Sequence, residues 1–195
     1  KPLDWIEVNS SNADTIADTI DDIWPDNSGT GATYSRYAGQ TAIGNGIQYA
    51  YQQFSGNGYT GIRKIIDLSG DGQDNNSNVD TDVAAAAAIS NGIDLVNALA
   101  IGDATLLSWY QDNILAGSGA FVVNVSTYSD IASTFLNKLK AEASNTYPSG
   151  ATNSTGTSYS QGDVIDTSAQ KAGGKVTVKS SGKVTVKGGG KLTVK

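Results

Sequence analysis

The sequence predicts an α/β fold, with a Rossmann-like parallel sheet covered by helices on both faces and a C-terminal β-repeat tail. Short apolar runs at about 63–69, 95–101 and 120–125 are typical of strands that are buried on both faces. Segments with helical spacing of apolar residues alternate with these runs, which indicates parallel strands joined by helices. The tail at 171–195 holds the motif KVTVK twice and KLTVK once, and each copy alternates like a strand.

In chain order, the first predicted element is a short strand at 4–8. Helices are predicted where apolar residues recur every three or four positions, at about 12–24, 41–54, 79–90, 104–115 and 127–142. In the last helix, Ile131, Phe135 and Leu139 mark the predicted apolar stripe. The five alanines of 84–88 predict a thin helix that packs closely against its neighbours.

The strand at 63–69 is followed by Ser69-Gly70-Asp71-Gly72, a glycine turn that carries a carboxylate. A turn of this kind at the carboxyl end of a parallel strand is where open α/β sheets build ligand sites. The polar loop from Asp74 to Asp82 comes next. It fits either a weak Ca²⁺ site or a solvated loop with acidic residues at a helix N-terminus.

Composition divides the chain into three parts: an α/β domain at 1–144, a segment at 145–170 and the tail at 171–195. The middle segment is rich in Ser, Thr, Gly and Asn, which predicts a linker or an extended surface segment. In the tail, aliphatic side chains point one way and Lys and Thr the other. The residues expected to mediate assembly are Lys175, Val176, Val178, Lys179, Val184, Val186, Leu192 and Val194.

Charge and composition limit the possible functions. Residues 1–170 hold six basic and 19 acidic residues, a net charge of −13, whereas the tail holds seven lysines. The acidic body argues against nucleic-acid binding, because phosphate contacts need cations. The chain has no His and no Cys, which excludes Ser-His-Asp catalysis, thiol chemistry and zinc sites built on imidazole or thiolate. We therefore expect no enzymatic activity, and the sequence has no apolar run long enough to span a membrane.

The α/β part resembles the von Willebrand factor type A fold, and within it an uncharacterised group of secreted bacterial proteins. The resemblance covers about residues 3–143. It rests on Thr41-Ala-Ile-Gly44 at the start of a helix, the Ile65–Gly72 stretch IIDLSGDG with Asn75-Asn76, Ala100-Ile101, and Gly117-Ser-Gly-Ala-Phe121. The resemblance implies an extracellular or cell-surface location.

In that family a hard cation is bound at the top of the sheet, and the resemblance assigns Thr41 and Asp71 to this site, with Mg²⁺ or Ca²⁺ as the ion. The Asp-x-Ser-x-Ser motif of the family is absent, and by the family's order its first strand, first helix and second strand are missing. The strand beside Ile65–Leu68 is therefore expected to come from elsewhere, since unpaired buried backbone groups are costly. The alternative for these two residues is an ordinary turn Asp and helix N-cap Thr.

Two functions follow as hypotheses. In the first, the chain is a secreted structural or adhesive protein that self-assembles into a filament or matrix, as a homo-oligomer or polymer, through the tail and the incomplete sheet. In the second, it is a cation-dependent ligand-binding module completed by a partner chain or a missing N-terminal segment. Because the chain begins with Lys1 rather than Met, a cleaved N-terminal fragment is one expected partner.

Overall fold

The computed structural model describes residues 4–21 and 40–165, and the structural statements below refer to those residues. They form three strands and five α-helices in the predicted alternating order, with a 3₁₀ turn at Tyr128–Asp130 before the last helix. The strands are β1 (Ile65–Gly70), β2 (Leu95–Ile101) and β3 (Val122–Val125). The helices are α1 (Ala13–Asp21), α2 (Ile43–Gln52), α3 (Thr81–Ser90), α4 (Ala104–Asn113) and α5 (Ile131–Ala143).

The three strands make one parallel sheet in the order β1-β2-β3. In its register Ile65 lies opposite Leu95, and Ala98 lies opposite Val122. The central strand β2 is the most apolar and the most buried, as expected for a strand with neighbours on both sides. The predicted α/β class and the parallel arrangement of these strands are confirmed.

One face of the sheet, here called the α3 face, is covered by α2, α3 and α4. Its core includes Ile66, Val96, Ala98 and Val122 from the strands. The alanines of α3 allow the close packing that the sequence predicts, because Ala84, Ala85 and Ala88 are buried against this face. Gly44 of α2 is required by the same packing, since a Cβ there would lie 2.3 Å from the carbonyl oxygen of Val79.

The opposite face, here called the α5 face, is covered by α5 and by residues 145–165. Tyr147, Ala151 and Ile165 are buried among the strand residues of this face. Thr152 also bridges β3: its N–H donates to the Val122 carbonyl at 2.9 Å and its carbonyl accepts from the Val122 N–H at 2.9 Å. Residues 145–165 of the middle segment are therefore fixed to the surface of the domain by these contacts.

Several sequence-based expectations differ from the structure or lie outside the described residues. Residues 4–8 form no strand: Trp5 instead packs edge-on against Phe54, with its indole N–H donating to the Gln53 carbonyl at 2.9 Å. The helix predicted over 12–24 is observed at Ala13–Asp21, and residues 22–24 lie outside the described part. The assembly residues of the 171–195 tail also lie outside it. None of the described helices is both long and apolar enough to cross a bilayer.

If residues 145–165 are part of the folded domain, Ile165→Ala will destabilise it. Removing a fully buried Ile side chain costs about 2–4 kcal/mol of unfolding free energy, and Ile165 is only 2% exposed. The neighbouring Val164, 70% exposed, is the matched control, and Val164→Ala should change stability by less than about 0.5 kcal/mol. Urea unfolding followed by circular dichroism measures both, and equal small effects would show that the segment is not anchored.

Candidate functional site

The structure brings Thr41 and the Asp71 turn together at the carboxyl end of β1. The Thr41 carbonyl accepts from the N–H groups of Asn75 at 2.8 Å and Asn76 at 3.1 Å, and the Thr41 N–H donates to Asn75 Oδ1 at 2.8 Å. The Thr41 hydroxyl oxygen lies 3.3 Å from the point where a Cβ of Gly72 would be. The two loops that the sequence assigned to one site are therefore neighbours.

Asp74 holds these loops in place. From the sequence alone it was one of several acidic residues in the polar loop. Its Oδ2 accepts from the Gly44 N–H at 2.7 Å, the Ser77 hydroxyl at 2.5 Å and the Thr81 hydroxyl at 2.8 Å. Its Oδ1 accepts from the N–H groups of Asn76 at 3.1 Å and Ser77 at 3.0 Å. One carboxylate thus ties the start of α2, the loop after β1 and the start of α3 to each other.

These contacts set the protonation of Asp74. Its partial burial alone would raise the pKa, but the hydrogen bonds from Gly44, Ser77, Thr81 and Asn76 favour the charged form more strongly and lower the pKa to about 2. Asp74 is therefore ionised at neutral pH with both oxygens engaged. It is a structural cap for the loops, and not a free metal ligand.

Asp71 itself is exposed and lies next to a buried tyrosine from α4. Burial, and then the charge of Asp71, raise the pKa of Tyr110 to about 12. Tyr110 therefore keeps its proton at neutral pH, and its hydroxyl donates to the Gly72 carbonyl at 3.3 Å. Gly70 leaves the space for this ring, because a Cβ there would lie 2.6 Å from the hydroxyl oxygen.

At this site the two predicted residues could supply only two protein ligands to a hard cation. Mg²⁺ prefers six oxygen ligands in near-octahedral geometry, and Thr41 and Asp71 supply two, leaving the remainder to water. Within residues 4–21 and 40–165, no three acidic side chains cluster as a metal site. A cavity of about 460 Å³ beside the 74–82 loop is lined by Asp74, Asp80 and Asp82 together with Trp109 and Asn113.

A second candidate site is the outer edge of β1. Among the described residues β1 pairs only with β2. A groove of about 470 Å³ follows this free edge and is lined by residues of β1, of α2 and of the N-terminal stretch. Its apolar members are Trp5, Ile6, Tyr49, Ala50, Phe54, Ile65 and Ile66, and its polar members are Asp4, Gln53 and Asp67. This groove is an apolar concave surface, the kind of surface at which binding is expected.

Asp67 also belongs to a buried polar cluster on the α5 face. The Lys138 ammonium, fully buried, pairs with Asp67 Oδ1 and lies 2.7 Å from Glu142 Oε1. The Asn97 amide donates to Glu142 Oε1 at 2.8 Å, and Asn97 Oδ1 accepts from the Phe121 N–H at 3.1 Å. Asp67 Oδ2 is buried without a hydrogen bond in the described structure. Burial, and to a lesser degree the charge of Asp67, raise the pKa of Glu142 against the opposing effect of Lys138.

The comparisons with known proteins identify a family without a known activity. The model of the family described as "Protein of unknown function (DUF1194)" matches residues 3–147. The chain belongs to this family. No curated protein and no solved structure shows significant similarity to this chain. The match to the family includes the Thr41–Asp71 loops, the β1 edge and the Lys138 cluster, whereas the tail lies beyond it.

The Lys138 cluster was missed by sequence reasoning for a physical reason. The predicted stripe of Ile131, Phe135 and Leu139 is the longest apolar series in α5, yet Phe135 is 39% and Leu139 41% exposed. The helix instead turns Lys138, Ala141 and Glu142 inward, because Asp67 and Asn97 on the strands offer partners for the two charges. One signal in the sequence was a polar residue within two of the apolar strands, Asp67 in β1 and Asn97 in β2. Another was the four-residue spacing of Lys138 and Glu142.

If Asp74 caps the loops, its contribution to stability will depend on pH in a defined direction. A pKa lowered by folding stabilises the native state above the ordinary value near 4, and this stabilisation is lost as pH falls towards 2. Asp74→Asn should therefore cost about 1–3 kcal/mol at pH 7 and progressively less below pH 4. Asp80, exposed and without a side-chain cap bond, is the control, and Asp80→Asn should cost under about 0.5 kcal/mol. Urea unfolding at pH 7 and pH 2.5 measures both, and a pH-independent cost for Asp74→Asn contradicts the assignment.

Proposed function

We propose that this chain is a secreted structural or adhesive protein that self-assembles, as a homo-oligomer or polymer, into a filament or an extracellular matrix. The single observation that carries the proposal is the outer edge of β1, which has no strand partner within residues 4–21 and 40–165 and borders an apolar groove of about 470 Å³. A strand with partly buried side chains and an unpaired edge recruits another strand, and main-chain hydrogen bonds then supply much of the affinity. The tail, with its alternating valines and lysines, is the strand donor present in this chain.

The finer fold assignment, a domain like von Willebrand factor type A, belongs to the same proposal. It is supported by the order β1-β2-β3, by the helices between these strands and by the closeness of Thr41 to the Asp71 turn. In such a domain the first strand of the family would lie beside β1, where the groove is. The resemblance to secreted proteins supports the extracellular location, and the absence of His and Cys from the chain makes a structural role more economical than an enzymatic one.

The apolar flank of α5 provides separate support for an incomplete sheet. Thr134, Asn137 and Ala141 border β3 and the 145–165 segment. Phe135 and Leu139 project from the opposite side of the helix, as its 3.6-residue repeat requires, and so lie towards β1. An added strand beside β1 would cover these half-exposed side chains as well as the groove on the α3 face.

Removing the tail tests the proposal. Deletion of residues 171–195 should leave the helix content of the α/β domain unchanged and abolish assembly, measured by light scattering after size-exclusion chromatography. A matched variant keeps the tail's length and all its lysines but replaces the aliphatic residues with Thr, at Val176, Val178, Val184, Val186, Leu192 and Val194. It should lose assembly too, because the apolar face is removed. Full assembly by the shortened chain would contradict the role of the tail.

A second candidate function, cation-dependent ligand binding at Thr41 and Asp71, is favoured by the closeness of these two residues. If they hold Mg²⁺ or Ca²⁺ for a ligand carried by a partner, Asp71→Asn should weaken cation binding at least about tenfold, since the charged ligand is lost. Isothermal titration with MgCl₂ and CaCl₂ measures this, with the exposed Asp112→Asn in α4 as the control. Equal heats for both variants and the parent chain would exclude this site.

A further inference from the structure

The unpaired oxygen of Asp67 lies where a strand added to β1 would pass. Asp67 lines the groove at the free edge, and its Oδ2 is buried with no hydrogen bond in the described part of the chain. A buried carboxylate oxygen without a donor is costly. Asp67 and Glu142 also share one ammonium group, that of Lys138. A second cation beside Asp67 would give each carboxylate a partner of its own.

The backbone of β1 presents hydrogen-bonding groups to the same edge. Lys64 accepts from the Leu95 N–H at 3.4 Å, so its carbonyl points towards β2. Because these groups alternate along a parallel strand, those of Ile65, Asp67 and Ser69 point away from β2, towards the free edge. A strand that pairs with these groups would lie directly beside Asp67.

The side chains of β1 define the pattern that an added strand must have. Ile66 and Leu68 lie on the α3 face with the apolar core, whereas Asp67 and Ser69 lie on the α5 face. A fitting strand is therefore apolar on the α3 face and bears a cation on the α5 face. An added strand that is apolar on both faces would leave Asp67 Oδ2 without a donor.

The KVTVK repeats have this pattern. With Lys opposite Asp67, a valine lies opposite Leu68 and a threonine opposite Ser69. This holds for a parallel strand, with Lys175, Val176 and Thr177 at these places, and for an antiparallel strand, with Lys179, Val178 and Thr177. The aliphatic stems of the lysines would also cover Phe135 and Leu139 on α5.

The described chain ends close to this edge. Ile165 is tied to Asn145, with the Ile165 N–H donating to the Asn145 carbonyl at 2.9 Å and the Asn145 amide donating to the Ile165 carbonyl at 3.1 Å. The Asn145 side chain in turn accepts from Arg63, two residues before β1 begins. The segment that leads to the tail therefore departs near the start of the free edge.

We propose that a KVTVK repeat of the tail pairs with the free edge of β1, with its valines on the α3 face and a lysine bound to Asp67 Oδ2. This rests on the proposed self-assembly and specifies its contact: which edge, which face and which ion pair. Lys175, Lys179 and their equivalents in the other repeats are the candidate cations.

Because the chain has no cysteine, disulfide trapping can test which face of the repeat lies on the same side of the sheet as Ser69. A disulfide needs Cα atoms less than about 7 Å apart and Cβ atoms that point towards each other, so on neighbouring strands only facing residues on the same side of the sheet react. The full-length chain carrying Ser69→Cys with Thr177→Cys, Thr185→Cys or Thr193→Cys should cross-link under mild oxidation. The controls pair Ser69→Cys with Val178→Cys, Val186→Cys or Val194→Cys, which point to the other face, and should react at least about tenfold more slowly. Peptide mass spectrometry identifies the bond, and equal rates for both sets overturn the proposal.

The ion pair is tested in the same cross-linking variants. Replacing the lysines at 175, 179, 183, 187, 191 and 195 with Gln should slow cross-linking about tenfold, whereas replacing them with Arg should change it less than about threefold. With Asp67→Asn in place, the Gln substitutions should have less than about a twofold effect. If Asp67→Asn does not fold, as judged by circular dichroism, the comparison of Gln with Arg still decides. Equal rates for the Gln, Arg and parent tails overturn the lysine contact.

The failure of this proposal is distinguishable from that of self-assembly. A chain that assembles without any Ser69 cross-link keeps the proposed function and overturns the β1 contact. A Ser69 cross-link confined to monomers supports the contact within one chain and overturns self-assembly through it. Cross-linked dimers and larger species support both.

Discussion

The hydrogen-bonding needs of the buried backbone govern the organisation of this domain. β2 meets them on both sides, through β1 and β3. β3 meets them on its outer side through Thr152, which exchanges two hydrogen bonds with Val122. β1 meets them only on the side of β2 within the described structure. The 145–165 segment therefore supplies hydrogen-bond partners to the backbone at one edge of the sheet. The backbone groups at the other edge still require partners.

The polar residues on the two sides of the sheet serve different purposes. On the loop side, Asp74 uses both carboxylate oxygens to close a ring of donors from three segments, which leaves Asp71 as the exposed acid of the turn. On the α5 face, Asp67, Lys138 and Glu142 place charges where apolar side chains would pack well. Buried ion pairs contribute little net stability when they replace an apolar core. The main effect of the Lys138 cluster is therefore to determine which face of α5 packs on the sheet. With Lys138 and Glu142 turned inward, Phe135 and Leu139 remain half-exposed.

Much of the fold follows from local pattern, and the sites follow from it less well. The apolar runs and the helical spacing placed β1, β2, β3 and the five described helices within a few residues, because strands buried on both faces and amphipathic helices have distinct periodicities. Thr41 and Asp71 were brought together by resemblance, and the structure has them on adjacent loops. The strand predicted at 4–8 is not formed. Apolar and acidic residues alternate there as in a strand, but Trp5 packs on Phe54 and the segment pairs with no neighbouring strand in the described structure.

The anchoring of Tyr147 and Ile165 left little trace in composition. The four buried residues of this segment are Tyr147, Pro148, Ala151 and Ile165. They show no helical or strand periodicity, and the burial of Tyr147 and Ile165 depends on contacts with distant Phe121 and Asn145. The inward turn of Lys138 was hidden for a related reason, since a lysine is expected to face water unless its partners are known. Glu142, one turn along α5, is a local partner, but the second partner, Asp67 on β1, is supplied only by the tertiary arrangement.

The hydrogen bonds that join Ile165, Asn145 and Arg63 hold Ile165 close to the β1 edge. A tail that pairs with β1 could therefore pair with the edge of its own chain or with that of another copy. Lys175 lies ten positions after Ile165 in the sequence, and a chain of ten residues reaches at most about 35 Å when fully extended. The covalent connection keeps the first repeat within that distance of Ile165, so in the proposed pairing its own β1 edge would compete with the edges of other copies. Donation within a chain would then prevail in dilute solution, and exchange between chains would require crowding or a surface. The second and third repeats, further along the tail, would be left free to reach another copy.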